Sequence, residues 1–484
     1  MAVISNVFWY INKAKWWVYA SYSYKQLLSV STAAEVVAIL NTDPWTYYTT
    51  LNSLWHIYDS AIANEAWTGK YNWTDGTVVY SNGTWSVGEK SYRVFTVSWT
   101  EDNTPATVVN SVVYSDDAAG LTRWVSKEFD EFFGYYACRL SSTWTESEVV
   151  NQSYSWNTVN LPLWTLATAT SGNDVMICFP KRGIKMTKSW SVVTLSITDE
   201  PDADWYQYYA FNKWVLNSSF GYSTSRPVDK FYLWAFECNT NCVSLPGQTL
   251  WSWTFSTYWS NAKAKSSDSS TKDSSTVYYN SNWSAMRWWQ REYVNALYMM
   301  KYGNPNSQSQ IWNGRVSWWS ALSTGNSWSS NSSLATWWTT DNRTSSMRLF
   351  WLENWWGNVS EWCMGIKTYS SYNCKVNLWN DDWDTTVATT ASYVDTWYGS
   401  AIWTNWRPAT AIAWDNKWMF IAASVYSSPD WSVWYCDWSR VFSGYIALVS
   451  GDYGSGLNAG AFNLAVFRSP SSSDAAYGSR LVFL

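Results

Sequence analysis

Few side chains in this chain could carry chemistry, and those few are incompletely arranged. Asp381, Asp382 and Asp384 follow Trp379-Asn380, and clustered carboxylate and amide oxygens suit a hard cation such as calcium. A solvated acidic loop is the plainer reading of such a run, and it is the expectation here. Cys238-Asn239-Thr240-Asn241-Cys242 spaces two thiols as half of a zinc site would. No second cysteine pair or histidine cluster completes four ligands. The seven cysteines are odd in number and scattered, which suits free buried thiols in a chain made in a reducing cytoplasm. A single histidine, His56, argues against a histidine triad or a histidine metal centre. The expectation is therefore no enzyme, no cofactor and no metal.

The stretch that would position everything else is Leu352-Glu353-Asn354-Trp355-Trp356-Gly357-Asn358-Val359-Ser360-Glu361-Trp362. Trp355, Val359 and Trp362 can form an apolar wedge. Asn354, Asn358 and Glu361 interleave with them, placed to cap or bridge backbone groups. Gly357 permits a tight turn that a side chain would block. This reads as a buried tryptophan corner with satisfied polar neighbours, one that organises loops rather than binding a ligand itself.

The same stretch resembles the Asn-x-Trp-Gly-Asn-Val-x-Glu-Trp signature of the formylglycine-generating-enzyme-like branch of the C-type lectin fold. That branch includes ligand-binding proteins of phage tails and those varied by diversity-generating retroelements. Ala459-Gly460-Ala461-Phe462-Asn463-Leu464 and Gly478-Ser479-Arg480-Leu481-Val482-Phe483 resemble the closing strands of those domains. Ala296-Leu297-Tyr298-Met299-Met300-Lys301-Tyr302-Gly303-Asn304-Pro305-Asn306-Ser307-Gln308 resembles their upstream segment.

The resemblance implies a phage virion protein of a tail fibre or tail tip, binding a host cell-surface receptor, protein or glycan, through the lectin-like domain. In those relatives, exposed residues alternate with framework ones near the C-terminus. Carried over by position, the framework is Val441, Ala447, Leu448, Ala459, Gly460, Ala461, Phe462 and Leu464, and the contact candidates are Trp438, Ser439, Tyr445, Asp452, Tyr453, Leu457, Asn458 and Asn463. Tyr, Trp, Ser and Asn are what an adaptable binding face uses. The relatives also imply a homotrimer. The calcium motif of sugar-binding lectins is matched only by Trp379-Asn380-Asp381, because the partner motif is absent at its expected spacing. The oxidase relatives need a placed pair of thiolates for copper; here Cys363 and Cys436 form the one plausible pair, in no matching context. The single histidine removes the iron-ligand set of related sulfoxide synthases. The alternative is a structural fibre or capsid decoration protein whose lectin fold makes assembly contacts only.

With 484 residues the chain is long enough for several domains. The formal net charge is −5 and only 14% of residues are charged, so nothing suggests nucleic acid. No apolar run is long enough to span a membrane, and Met1-Ala2-Val3-Ile4-Ser5-Asn6 does not begin a secretory signal; release by phage lysis is the expected exit. There are 43 Trp against 22 Gly, whereas glycine is ordinarily near 7% and among the commonest residues. This excess suggests that part of the sequence was inferred from a density map rather than translated from a gene, so an isolated tryptophan carries little weight.

The expected architecture is α+β. Residues 1–125 form an attachment module that meets other virion proteins, 126–165 a β connector, and 166–484 the lectin-like domain with long irregular loops. Thr32-Ala33-Ala34-Glu35 is a capping box that opens a helix, and a second helix is expected over about 49–66. Ser81-Asn82-Gly83 between Thr77–Tyr80 and Thr84–Val87 predicts a hairpin with an Asn-Gly turn. Strands are expected over 92–99, 108–114, 174–180 and 191–197. A helix or linker is expected over 116–135 and the best later helix over 291–301. Residues 266–275, 314–346 and 377–400 read as surface loops.

Overall fold

The computed structural model describes residues 92–325 apart from short gaps and the stretches 161–165, 167–172 and 266–282, then 346–368, strands within 374–441, and 445–484. Before residue 92 it describes three strands and a few residues between 34 and 42. The fold is α+β. The chain divides into two compact units, 1–94 with 197–206, and 95–196 with 207–484.

In the first unit, Gly76–Ser81 and Thr84–Gly88 pair antiparallel across Asn82-Gly83, with Ser81 opposite Thr84. This is the hairpin that the Asn-Gly pair predicts. A third strand, Thr68–Trp73, joins it. Ala34, Val37 and Ala38 are helical, while the helix expected over 49–66 lies outside the described residues.

In the second unit, Val94–Thr100 buries Phe95, Val97 and Trp99, the alternation of a strand with one face inward. The strand expected over 108–114 is shorter, Val113–Asp116. Pro105–Asn110 is a helix instead. Proline is favoured at a first helical position because its missing N–H would have no partner there, and that start carries Val108 and Val109 into the helix despite their β-branching.

The central sheet has six strands in the order 283–285, 481–483, 230–234, 174–180, 136–140, 146–150. Asp174–Pro180 lies at its heart, Met176 opposite both Trp234 and Cys138. Thus 136–140 and 146–150, from the segment read as a connector, build the same sheet as the chain's last strand, Leu481–Phe483. Against this sheet packs a core that includes Trp234, Trp259, Trp283, Trp362 and Leu481. The helix Phe255–Lys265 belongs to that core, and no sequence pattern announced it. Asp174 holds it by an ion pair with Lys265 at 2.6 Å.

The later helix runs Trp288–Tyr302, three residues longer at its start than expected, and every residue in it is buried. A helix buried all round needs polar groups that find partners inside, and Arg291, Glu292, Asn295 and Lys301 all do. It ends on Gly303 in the left-handed region, whose N–H returns to the Met299 carbonyl. A second large sheet runs through Ser360–Thr368, Ile446–Val449 and Leu464–Arg468.

Candidate functional site

The stretch 352–362 is a buried corner. Trp355, Trp356 and Trp362 are fully buried, as are Asn354, Asn358 and Glu361. Asn354, Gly357 and Asn358 have φ of 52°, 76° and 63°, a region that asparagine tolerates and glycine enters freely. At Gly357 a Cβ would lie 2.8 Å from the Arg315 carbonyl oxygen, so the corner and the loop at 313–325 approach backbone to backbone.

Asn358 fastens that loop. Its N–H donates to the Arg315 carbonyl at 2.8 Å. Its Oδ1 accepts from the Leu322 N–H at 2.7 Å, and its Nδ2 donates to Glu237 Oε2 at 2.6 Å. Asn354 Nδ2 donates to the same carboxylate oxygen at 3.0 Å, and Glu353 Oε1 accepts from the Gly325 N–H at 2.7 Å. The loop at 450–459 is locked onto these. The Tyr453 N–H donates to the Asn358 carbonyl, the Trp318 N–H to the Tyr453 carbonyl, and the Gly456 N–H to the Val316 carbonyl. Gln308 Nε2 donates to the carbonyls of Gly456 and Ala459.

Beneath the corner lies a charged network. Arg480 Nε donates to Glu361 Oε1 at 2.6 Å, and its other nitrogens donate to the carbonyls of Trp234 and Glu353 at 3.1 and 2.8 Å. Arg291 stands 4.0 Å from Glu361 Oε2 and donates to Ser450 Oγ and the Ala461 carbonyl. Both guanidinium groups lie over the Trp355 ring, at 4.6 and 5.5 Å from its centroid. Burial, and then the nearby Glu361 carboxylate, push the Glu237 carboxyl well above its ordinary range. Glu237 Oε1 and Glu361 Oε2 are both buried without a hydrogen-bond partner, so a proton held on Glu237 relieves two adjacent like charges.

Two predictions follow from these groups. Asn358→Ala removes partners from Leu322 and Glu237 at once, and should cost about 1–3 kcal/mol in a denaturant titration; an unresolved change in midpoint would mean that the corner does not depend on it. Glu292, buried in the helix, accepts from the Phe420 N–H at 2.7 Å, and burial pushes its carboxyl from 4.5 up to about 7. The folded chain then keeps a proton that the unfolded chain releases. Its contribution is whole below about pH 4.5 and is lost as pH rises through about 7. Unfolding midpoints measured between about pH 5 and about pH 8 should fall more steeply for the native chain than for Glu292→Gln, and parallel curves would refute this assignment.

The framework residues Ala447, Leu448, Ala459, Ala461, Phe462 and Leu464 are buried. Of the contact candidates, Asp452, Tyr453, Leu457 and Asn458 share the loop at 450–459 and are half-buried. Asp452 braces that loop, its Oδ1 accepting from the Gly454 N–H and Ser455 Oγ. Tyr445 is also half-buried but stands at the other end of Ile446–Val449, its N–H donating to Thr368 Oγ1. That strand separates it from the loop by roughly 13 Å. Asn463 corrects the sequence reading: it is 3% exposed, with its Nδ2 donating to the Asn458 carbonyl at 2.8 Å, so it holds the loop and offers no exposed surface. Ser439 begins the strand Ser439–Val441, and Trp438 lies outside the described residues. The position-by-position reading missed the loop at 313–325, where Trp318 and Trp319 are 49% and 91% exposed beside Tyr453. Its serine-rich composition was the only signal.

Cys238, Cys242 and Cys363 are buried free thiols. Burial raises the Cys238 and Cys363 thiols well above their usual range. His56, Cys436, Asp381, Asp382 and Asp384 lie outside the described residues.

No family model matches this chain, and no curated protein matches it. Among solved structures, the chain is similar to the Major Tropism Determinant U1 variant at 13% identity, with a TM-score of 0.24, over 85% of this chain and 80% of that one. A likeness at that level carries no argument about fold or function.

Proposed function

We propose that this protein is a phage virion component that attaches to the host cell surface through a C-terminal C-type-lectin-like domain. The observation that carries the reading is the coupling of two irregular loops, 313–325 and 450–459, to one buried polar corner through Asn358. A rigid scaffold that presents half-exposed loops is the arrangement binding proteins use. The order of the corner motif, the upstream helix and the closing strands supports the lectin-like assignment, and the residues before 126 are the region that meets other virion proteins. Trimeric presentation would add avidity to weak single contacts. The reading assigns no catalysis and no cofactor, and the contact face is Asp452, Tyr453, Leu457 and Asn458 with the adjoining 313–325 loop.

The test is attachment of the purified chain to intact host cells. Replacing Tyr453 and Leu457 together with Ala should leave the melting curve nearly unchanged, since surface changes usually stay within about ±0.5 kcal/mol each, and should abolish attachment. Tyr445→Ala, at the far end of the strand, should retain it. Attachment that survives the double change would move recognition elsewhere. A chain that never attaches but assembles into virions would favour the fibre or decoration role.

A further inference from the structure

Among the described residues, eleven non-glycine residues have φ in the left-handed region, and four of them are tryptophan: Trp124, Trp190, Trp205 and Trp351. Asparagine and aspartate enter that region at little cost, whereas a bulky side chain there is an outlier. All four tryptophans stand in tight turns. Trp351 is the second residue of the two-residue link between Arg348–Leu349 and Leu352–Glu353, where Leu349 pairs with Leu352. Phe350 and Trp351 have φ of 46° and 70°, the type I′ pattern whose second position glycine dominates. Trp190 is the first residue of the two-residue link, Trp190-Ser191, between Gly183–Ser189 and Val192–Thr198, with φ 56°. The Val125 N–H returns to the Thr122 carbonyl, and the Tyr206 N–H to the Ala203 carbonyl. This puts Trp124 and Trp205, at φ 61° and 68°, third in four-residue turns, the position where a type II turn requires glycine. Burial does not offset the strain at two of them: Trp190 is 95% exposed and Trp205 72%.

We propose that these four positions are glycine positions, and that the cell expressing this gene reads UGA as glycine. UGA is tryptophan in some reassigned codes and glycine in others, so a UGA-rich gene read in the wrong code exchanges one residue for the other. The 43 Trp against 22 Gly follow from the same cause, with no need for residues inferred from a map. Resting on the receptor-binding reading, the partner surface is then that of a cell with glycine-decoding UGA.

Peptide mapping by mass spectrometry of the protein isolated from its producing culture tests this. Peptides covering residues 124, 190, 205 and 351 should carry glycine, and the intact mass should fall below 55.7 kDa; tryptophan in these peptides overturns the proposal. As a second measurement, a recombinant chain with Trp124→Gly, Trp190→Gly, Trp205→Gly and Trp351→Gly should melt several degrees higher than the chain as written, and an unchanged or lower melting temperature counts against glycine sites. Neither readout involves host cells, so failure of the attachment assay leaves this result standing, and tryptophan in the peptides leaves the attachment result standing.

Discussion

Arg480→Met is expected to destabilise the folded chain by about 3–5 kcal/mol, the usual cost of removing one partner from a buried ion pair. The change leaves Glu361 buried without its 2.6 Å partner and strips donors from the Trp234 and Glu353 carbonyls. Those carbonyls belong to the central sheet and to the corner, so one guanidinium ties the closing strand to both. Arg480→Lys should recover only part of the loss, because an ammonium cannot reproduce the planar fork that serves three acceptors in different directions. Guanidinium titrations of the three chains decide the matter. A loss below about 1 kcal/mol for Arg480→Met would mean that Glu361 finds its compensation elsewhere.

Trp362→Ala is expected to cost a similar amount, about 3–5 kcal/mol, through lost burial and the cavity left behind. The indole is fully buried and meets Phe255 and Tyr477 at ring-centroid distances of 5.9 and 5.6 Å. Its Nε1 donates to the Trp253 carbonyl at 3.3 Å. It therefore joins the helix 255–265, the loop before it and the strand at 477–478. Loss of the near-ultraviolet aromatic signal together with an earlier denaturant midpoint is the expected pattern. A small shift would show that the core closes over the gap.

The corner at 352–362 was legible because its constraints are local. A glycine between asparagines sets the backbone angles, and tryptophans at that spacing must be buried wherever the segment lies. The Asn-Gly hairpin, the strands expected over 174–180 and 191–197, and the later helix were legible for the same reason: turn residues and apolar runs are written in neighbouring residues. The expected strand over 108–114 failed because β-propensity is weak beside the helix start that Pro105 provides. The helix 255–265, with little amphipathic contrast in Phe255-Ser256-Thr257-Tyr258-Trp259, was not legible at all.

By itself the sequence determined the α+β character, the corner and its polar residues, and the buried framework at 447–448, 459–462 and 464. Only the tertiary structure decided which groups those polar residues meet. Glu237 receives Asn354 and Asn358 from more than a hundred residues away, and Arg480 reaches Glu361 and Trp234. Tertiary structure alone also withdrew Asn463 from the contact face, separated Tyr445 from Tyr453, and set the loop at 313–325 beside the loop at 450–459. The reason is physical: backbone angles and burial tendency belong to a residue and its neighbours. A hydrogen bond to a buried carboxylate, or the exposure of a side chain at a loop's edge, depends on which distant segment the folded chain brings alongside.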